Sequence, residues 1–153
     1  MSAGRVLLCK AVSRAPGPGS AAVELRADVV KVDRATRLVW GWGSVAEVDG
    51  VPVVDSQHDV VAPAELQRAV HAYVKSLRHA KVEHEGEVVG EVVDSFVWTR
   101  ELQAAFGVDF GKVGWALGME MPADVVARCA SGEFNAFSIA GSAARVEIPD
   151  AAA

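Results

Sequence analysis

Short runs of β-branched and aromatic residues, each ended by a turn signal, recur along almost the whole chain and leave little room for helices. Residues 23–32 and 37–48 alternate in places between apolar and polar (Leu25, Ala27, Val29; then Leu38, Trp40, Trp42), and Asp33-Arg34-Ala35-Thr36 between them suits a hairpin turn. Asp49-Gly50 is a second tight turn, after which residues 51–54 form a short strand that enters a polar segment, Asp55-Ser56-Gln57-His58-Asp59. Residues 81–84 and 88–98 read as a strand pair around Glu85-Gly86-Glu87, residues 113–121 as another strand, and 134–139 and 144–148 as the last two. Helices are expected at three places. Pro63 opens the longest, with Leu66, Val70, Tyr73, Val74 and Leu77 at three-to-four spacing and His71 and His79 on it as structural residues. Thr99 begins a short one that Gly107 stops, and a third runs from Pro122 through Arg128 to the Ser131-Gly132 stop. Strand after strand without sustained βαβ alternation predicts an α+β fold, a mainly antiparallel barrel or curled sheet with two or three packed helices.

A chain of 153 residues has the length of one domain. We place it at residues 23–149, after a flexible leader over 1–22 that ends in a Pro/Gly/Ser cluster and before a short tail at 150–153. Fifteen Lys and Arg against twenty Asp and Glu give a net charge of −5, which argues against nucleic acid as the partner. No apolar run approaches the roughly 18 residues that span a bilayer, and the few apolar residues after Arg5 are too short for a signal peptide. Cys9 and Cys129 have neither zinc-type spacing nor a disulfide framework, so both read as plain thiols in a reducing, cytoplasmic setting.

Dinucleotide, phosphate-loop and zinc-protease motifs are all missing from the sequence. His84, between Glu83 and Glu85 at the end of a predicted strand, is either a general base whose positive form the carboxylates favour or a solvated turn histidine. Ser138, in Phe137-Ser138-Ile139-Ala140-Gly141, is either a nucleophile with small neighbours that let a carbonyl approach or a small buried hydroxyl. Asp55, His58 and Asp59 carry metal-ligand chemistry but lack a matching fourth ligand, so a solvated loop is the better reading. For Trp40, Trp42, Trp98 and Trp115, all on predicted strands, core packing is preferred over a substrate-groove wall.

Five separated blocks, in order, change these weights. They are Lys31-Val32-Asp33 with residues 38–45, then residues 54–61, then His84-Glu85-Gly86 with Val89-Gly90, then Gly111-Lys112-Val113-Gly114-Trp115, and finally residues 131–134 with Phe137-Ser138-Ile139. Together they resemble the XkdF-like serine proteases of phages and prophages, over roughly residues 23–147. That family is related to the phage head maturation proteases and, more remotely, to the herpesvirus assemblins. The resemblance implies a β-barrel with surrounding helices, with His84 as general base and Ser138 as nucleophile, fifty-four residues apart and brought together by neighbouring strands. It implies an endopeptidase that cleaves capsid and scaffold proteins in an assembling procapsid in the host cytoplasm, and association into a homodimer. No cofactor or metal is called for.

His58 and Ala140 stand where the family usually has Gly. Related enzymes place a third catalytic residue on a strand well downstream of the serine, a segment not expected here, which leaves Glu147, Asp94 and Glu83 as carboxylates to orient the imidazole. The second reading of the chain is therefore a catalytically incomplete module of the same fold that binds capsid or scaffold protein.

Overall fold

The computed structural model describes residues 4–8, 20–55, 58–76, 78–82 and 88–144, with 4–8, 20–27, 80–82 and 138–144 described by their backbone alone. The described elements are β1 (Gly4–Leu8), β2 (Ser20–Asp33), β3 (Leu38–Val48), β4 (Val51–Pro52), α1 (Pro63–Ser76), β5 (His79–Val82), β6 (Val88–Trp98), α2 (Arg100–Phe106), β7 (Lys112–Glu120), α3 (Ala123–Ala130) and β8 (Phe134–Ala144). The strands form one sheet in the order β2-β8-β1-β5-β6-β7-β3-β4, and β2 also pairs with β3, so the sheet curls until its pairings meet again. Among these pairings only β1 with β8 is parallel. The fold is thus α+β, a mainly antiparallel curled sheet with packed helices, as the alternating runs require.

Local chemistry sets the boundaries. In the β2–β3 turn the Asp33 carboxylate accepts from the Thr36 and Ala35 backbone N–H groups at 3.2 and 2.9 Å, replacing a ladder with a side-chain turn. Those bonds, Thr36 foremost, hold the Asp33 carboxyl below its usual range. Thr99 caps α2 by accepting from the Leu102 N–H at 3.2 Å, and Gly107, at φ +68°, ends it in the left-handed conformation. Helix α1 stops at Ser76, because Arg78 turns left-handed (φ +52°) and its N–H reaches back to the Tyr73 carbonyl. His79, expected on this helix, therefore opens β5 instead, where its carbonyl accepts from the Tyr73 hydroxyl at 2.8 Å.

Two strands differ from expectation. Gly4–Leu8 lies between β8 and β5, and β2 starts at Ser20, so part of the stretch read as a leader contributes to the sheet. Its apolar Val6-Leu7-Leu8 suits a strand with a neighbour on each side; residues 9–19, with Cys9 and the Pro/Gly cluster, lie outside the described residues. Strand β8 runs unbroken through Ala140-Gly141-Ser142-Ala143, where a gap between two strands was expected. Backbone pairing with β2, continuous from Ser20 opposite Ala144 to Asp28 opposite Ala136, carries it through. Residues 145–148 lie outside the described residues.

The core sits inside the curl. Val39, Trp115, Leu117, Met119 and Phe137 point inward from the strands, and α1 and α3 close over them with Leu66, Val70 and Tyr73 and with Val125, Val126 and Cys129. Tyr73 meets Trp115 edge to face at 5.4 Å, and the Trp115 indole N–H donates to the Ser95 hydroxyl at 2.9 Å, so the largest core side chain leaves no polar atom unpaired.

Candidate active site and the aromatic face

Ser138 lies within β8, where the parallel neighbour β1 places Leu7 beside it and the antiparallel neighbour β2 places Arg26 on its other side. Immediately before it, Ala136 and Phe137 are completely buried and anchor the strand against the core. Leu7 also faces Lys81 of β5, and Val6 faces Val82. One rung of the sheet therefore runs Lys81, Leu7, Ser138, Arg26. β5, the described strand before residue 84, and β8, which carries Ser138, have β1 between them and so lie roughly 10 Å apart at two strand spacings. His84 itself, with Glu83, lies outside the described residues, as does Glu147.

The third carboxylate considered for the imidazole is accounted for. Asp94 accepts a hydrogen bond from the Trp40 indole N–H at 2.9 Å, and the pair spans the middle strand β7 above Gly118. A Cβ on Gly118 would stand 2.7 Å from both the Asp94 carboxylate and the Trp40 ring, so the absence of a side chain is what lets them meet.

In the loop before α1, Asp55 closes a small ring by bonds within residues 55–59. Its carboxylate accepts from the Asp59 N–H at 2.9 Å, its own N–H donates to the Asp59 carbonyl at 3.0 Å, and its carbonyl accepts from the His58 N–H at 3.1 Å. His58 sits at φ +62°, the left-handed region that glycine enters without strain, which gives a backbone reason for the Gly usual at this place in the family. The Asp55 carboxylate is thus engaged in shaping the loop. Cys129, on the buried face of α3, is a thiol whose ionisation burial pushes up to about 11; that is the environment of an unreactive cysteine.

Of the four tryptophans only Trp115 is core, at 2% exposure. Trp40, Trp42 and Trp98 are half-buried on the opposite, outer face of β3, β7 and β6. There Trp98 stacks on Phe96 at 5.0 Å and meets Phe106 and Phe110 edge to face at 5.6 and 5.3 Å, while Phe110 also touches Trp42 at 5.9 Å. Buried Gln103 holds this arrangement. Its amide nitrogen donates to the Trp98 and Lys112 carbonyls, and its oxygen accepts from the Phe110 N–H at 2.8 Å, which pins the α2–β7 loop against β6. Sequence reading missed Gln103, since a glutamine on a short helix has no signal of its own, and missed the outer cluster because Phe106 and Phe110 fall outside any strand period.

A family model described as "Putative phage serine protease XkdF" matches residues 26–147, a span that contains both His84 and Ser138. Among curated proteins, the chain is similar to "Uncharacterized protein YqbD" of Bacillus subtilis (strain 168), with 31% identity over 107 residues that cover 69% of this chain and 32% of the relative. The chain thus spans about a third of that relative's length. No solved structure matches it.

Proposed function

Since the chain belongs to the family described as putative phage serine protease XkdF, we propose that it is an endopeptidase of head maturation, with Ser138 as nucleophile and His84 as general base. The observation that carries the reading is the family match over residues 26–147, which brings both residues in with their surrounding blocks. In support, Ser138 stands on a strand with paired neighbours on both sides, a rigid setting for a nucleophile, and is followed by Ala140 and Gly141, whose small size leaves space for a substrate chain.

The chemistry follows from the two groups. The imidazole of His84 takes the hydroxyl proton as Ser138 Oγ attacks the peptide carbonyl carbon, and backbone N–H donors stabilise the oxyanion that forms. The tetrahedral species collapses, the C–N bond breaks, and the imidazolium passes its proton to the leaving amine. Water, deprotonated by the same imidazole, then hydrolyses the acyl ester and restores the free hydroxyl. Its substrates are capsid and scaffold proteins of the assembling particle, cleaved inside the bacterial host.

Cleavage of a co-produced scaffold protein, followed by gel and mass spectrometry, should fall at least about a thousandfold in Ser138→Ala, and a fluorophosphonate probe should label the wild-type chain at Ser138. Full cleavage by the Ser138→Ala variant would falsify the assignment. A wild-type chain that neither cleaves nor takes the probe, yet binds the scaffold, would point instead to the incomplete docking module.

A further inference from the structure

We propose that this chain cleaves next to acidic side chains, and that Arg26 and Lys81, on the same rung of the sheet as Ser138, are the residues that select them. The inference rests on the reading of Ser138 as the nucleophile and adds a substrate class to it.

The ground is the register of β2, β8, β1 and β5. Arg26 of β2 stands directly opposite Ser138, and Lys81 of β5 stands on the other side, beyond Leu7. One strand spacing separates Ser138 from Arg26 and two separate it from Lys81, about 5 and 10 Å. The rung goes on from Lys81 to Val88, so from β6 to β2 it carries two cations and no carboxylate. Phe134 and Phe137 both lie in the core, and the register shift between Gly4 and Val6 takes up the odd spacing between them. After Phe137 the alternation of the strand puts position 138, and the rung with it, on the side of the sheet away from the core, which a protein substrate approaches.

The acids nearby stand off this rung. Glu24 and Asp28 share the outer side of β2 with Arg26, but two residues before and after it, opposite Ala140 and Ala136. On β5 the next outer position is His79, which Glu91 faces from β6. Positive charge is thus confined to the level of Ser138, on a chain whose net charge is −5. A net negative protein repels an acidic segment at long range, so a cationic rung beside the reacting hydroxyl decides where along that segment the chain settles. In an extended substrate, at about 3.3 Å per residue, the roughly 10 Å from Ser138 to Lys81 takes in the first three residues on either side of the scissile bond. A carboxylate there is attracted by the rung, and a lysine or arginine is repelled by it.

A mixed library of unstructured synthetic peptides, digested by the full chain and read by mass spectrometry, tests the selection, with an uncharged fluorophosphonate probe reporting on the hydroxyl itself. Cleavage with Asp or Glu within those three positions should exceed cleavage with Lys or Arg there by about tenfold, the size expected of two solvent-exposed ion pairs. Arg26→Glu and Lys81→Glu should each lower kcat/KM for the acidic peptides by about tenfold and raise it for the basic ones, while probe labelling stays within about twofold of wild type. Arg26→Lys, which keeps the charge, should keep the preference. Because the two residues lie on different strands, misfolding of one variant leaves the other to decide. A chain that labels at Ser138 but cleaves without regard to charge overturns the proposal and leaves the nucleophile in place, and so does a preference that survives both reversals. A chain that takes no probe at Ser138 overturns the protease reading and this proposal with it.

Discussion

The two faces of β3, β7 and β6 carry nearly the same kind of residue and meet different fates. Inward, Trp115, Leu117, Met119 and Val39 are at most 2% exposed beneath α1 and α3. Outward, on the intervening positions of the same strands, Trp42, Phe96 and Trp98 gather with Phe106 and Phe110 and, like Trp40 beside Asp94, stay partly open. Hydrophobicity does not separate the two sets. What separates them is which side the helices cover, and that follows from the connection after β4 through α1 and the return of α3 before β8. An aromatic residue in a strand therefore reports that a face is apolar, and the face becomes core only if another element arrives to cover it.

The largest test of this contrast pairs one residue from each face. Trp115→Ala should lower the unfolding free energy by about 3–5 kcal/mol in urea titration, through lost burial and the cavity beneath Tyr73, whereas Phe106→Ala should change it by no more than about 0.5 kcal/mol. Comparable losses at both positions would mean the outer cluster is core in solution.

A smaller effect separates two glycines of the outer face. A Cβ on Gly114 would stand 2.4 Å from the Ser44 carbonyl oxygen, which belongs to backbone and cannot step aside, while on Gly118 it meets the ends of Asp94 and Trp40, which can. Gly114→Ala should cost about 1–3 kcal/mol and Gly118→Ala clearly less, with a changed tryptophan fluorescence as the indole of Trp40 shifts. Equal costs would indicate that the Asp94–Trp40 bond is as unyielding as the ladder.

The smallest concerns the buried face alone. Because burial raises the Cys129 ionisation to about 11, the folded state keeps its proton where the unfolded chain has lost it. The associated stability is complete below the unfolded pKa of about 8.5 and is lost as pH rises towards 11, since the folded state binds more protons in that window. Melting temperatures from pH 8 to 11 should fall less steeply in Cys129→Ala than in wild type. Parallel curves would mean that the thiol is open to solvent.

The sequence carried the strand list, the turns and the helix starts because these rest on local chemistry. Asp33 makes its own turn, Thr99 caps its own helix and Gly107 ends it, whatever the rest of the chain does. It failed where a distant partner decides. Residues 140–143 look like a break and become strand because β2 pairs along them, and His79 looks like a helix end and becomes strand once Arg78 turns left-handed and His79 pairs with Glu91 of β6. For the site, the blocks around His84 and Ser138 were legible as chemistry and as kinship, but the order of strands was not: β1 stands between β5 and β8. Nor was the engagement of Asp94 with Trp40, fifty-four residues away, visible before the strands were placed.

By itself, then, the sequence determined the alternation, the turns and the residue types that could act, all of which are set by interactions within a few residues. Tertiary structure alone decided which face of each strand is covered, which strands flank Ser138 and which carboxylate is already bound, because each depends on surfaces brought together across the whole length of the chain.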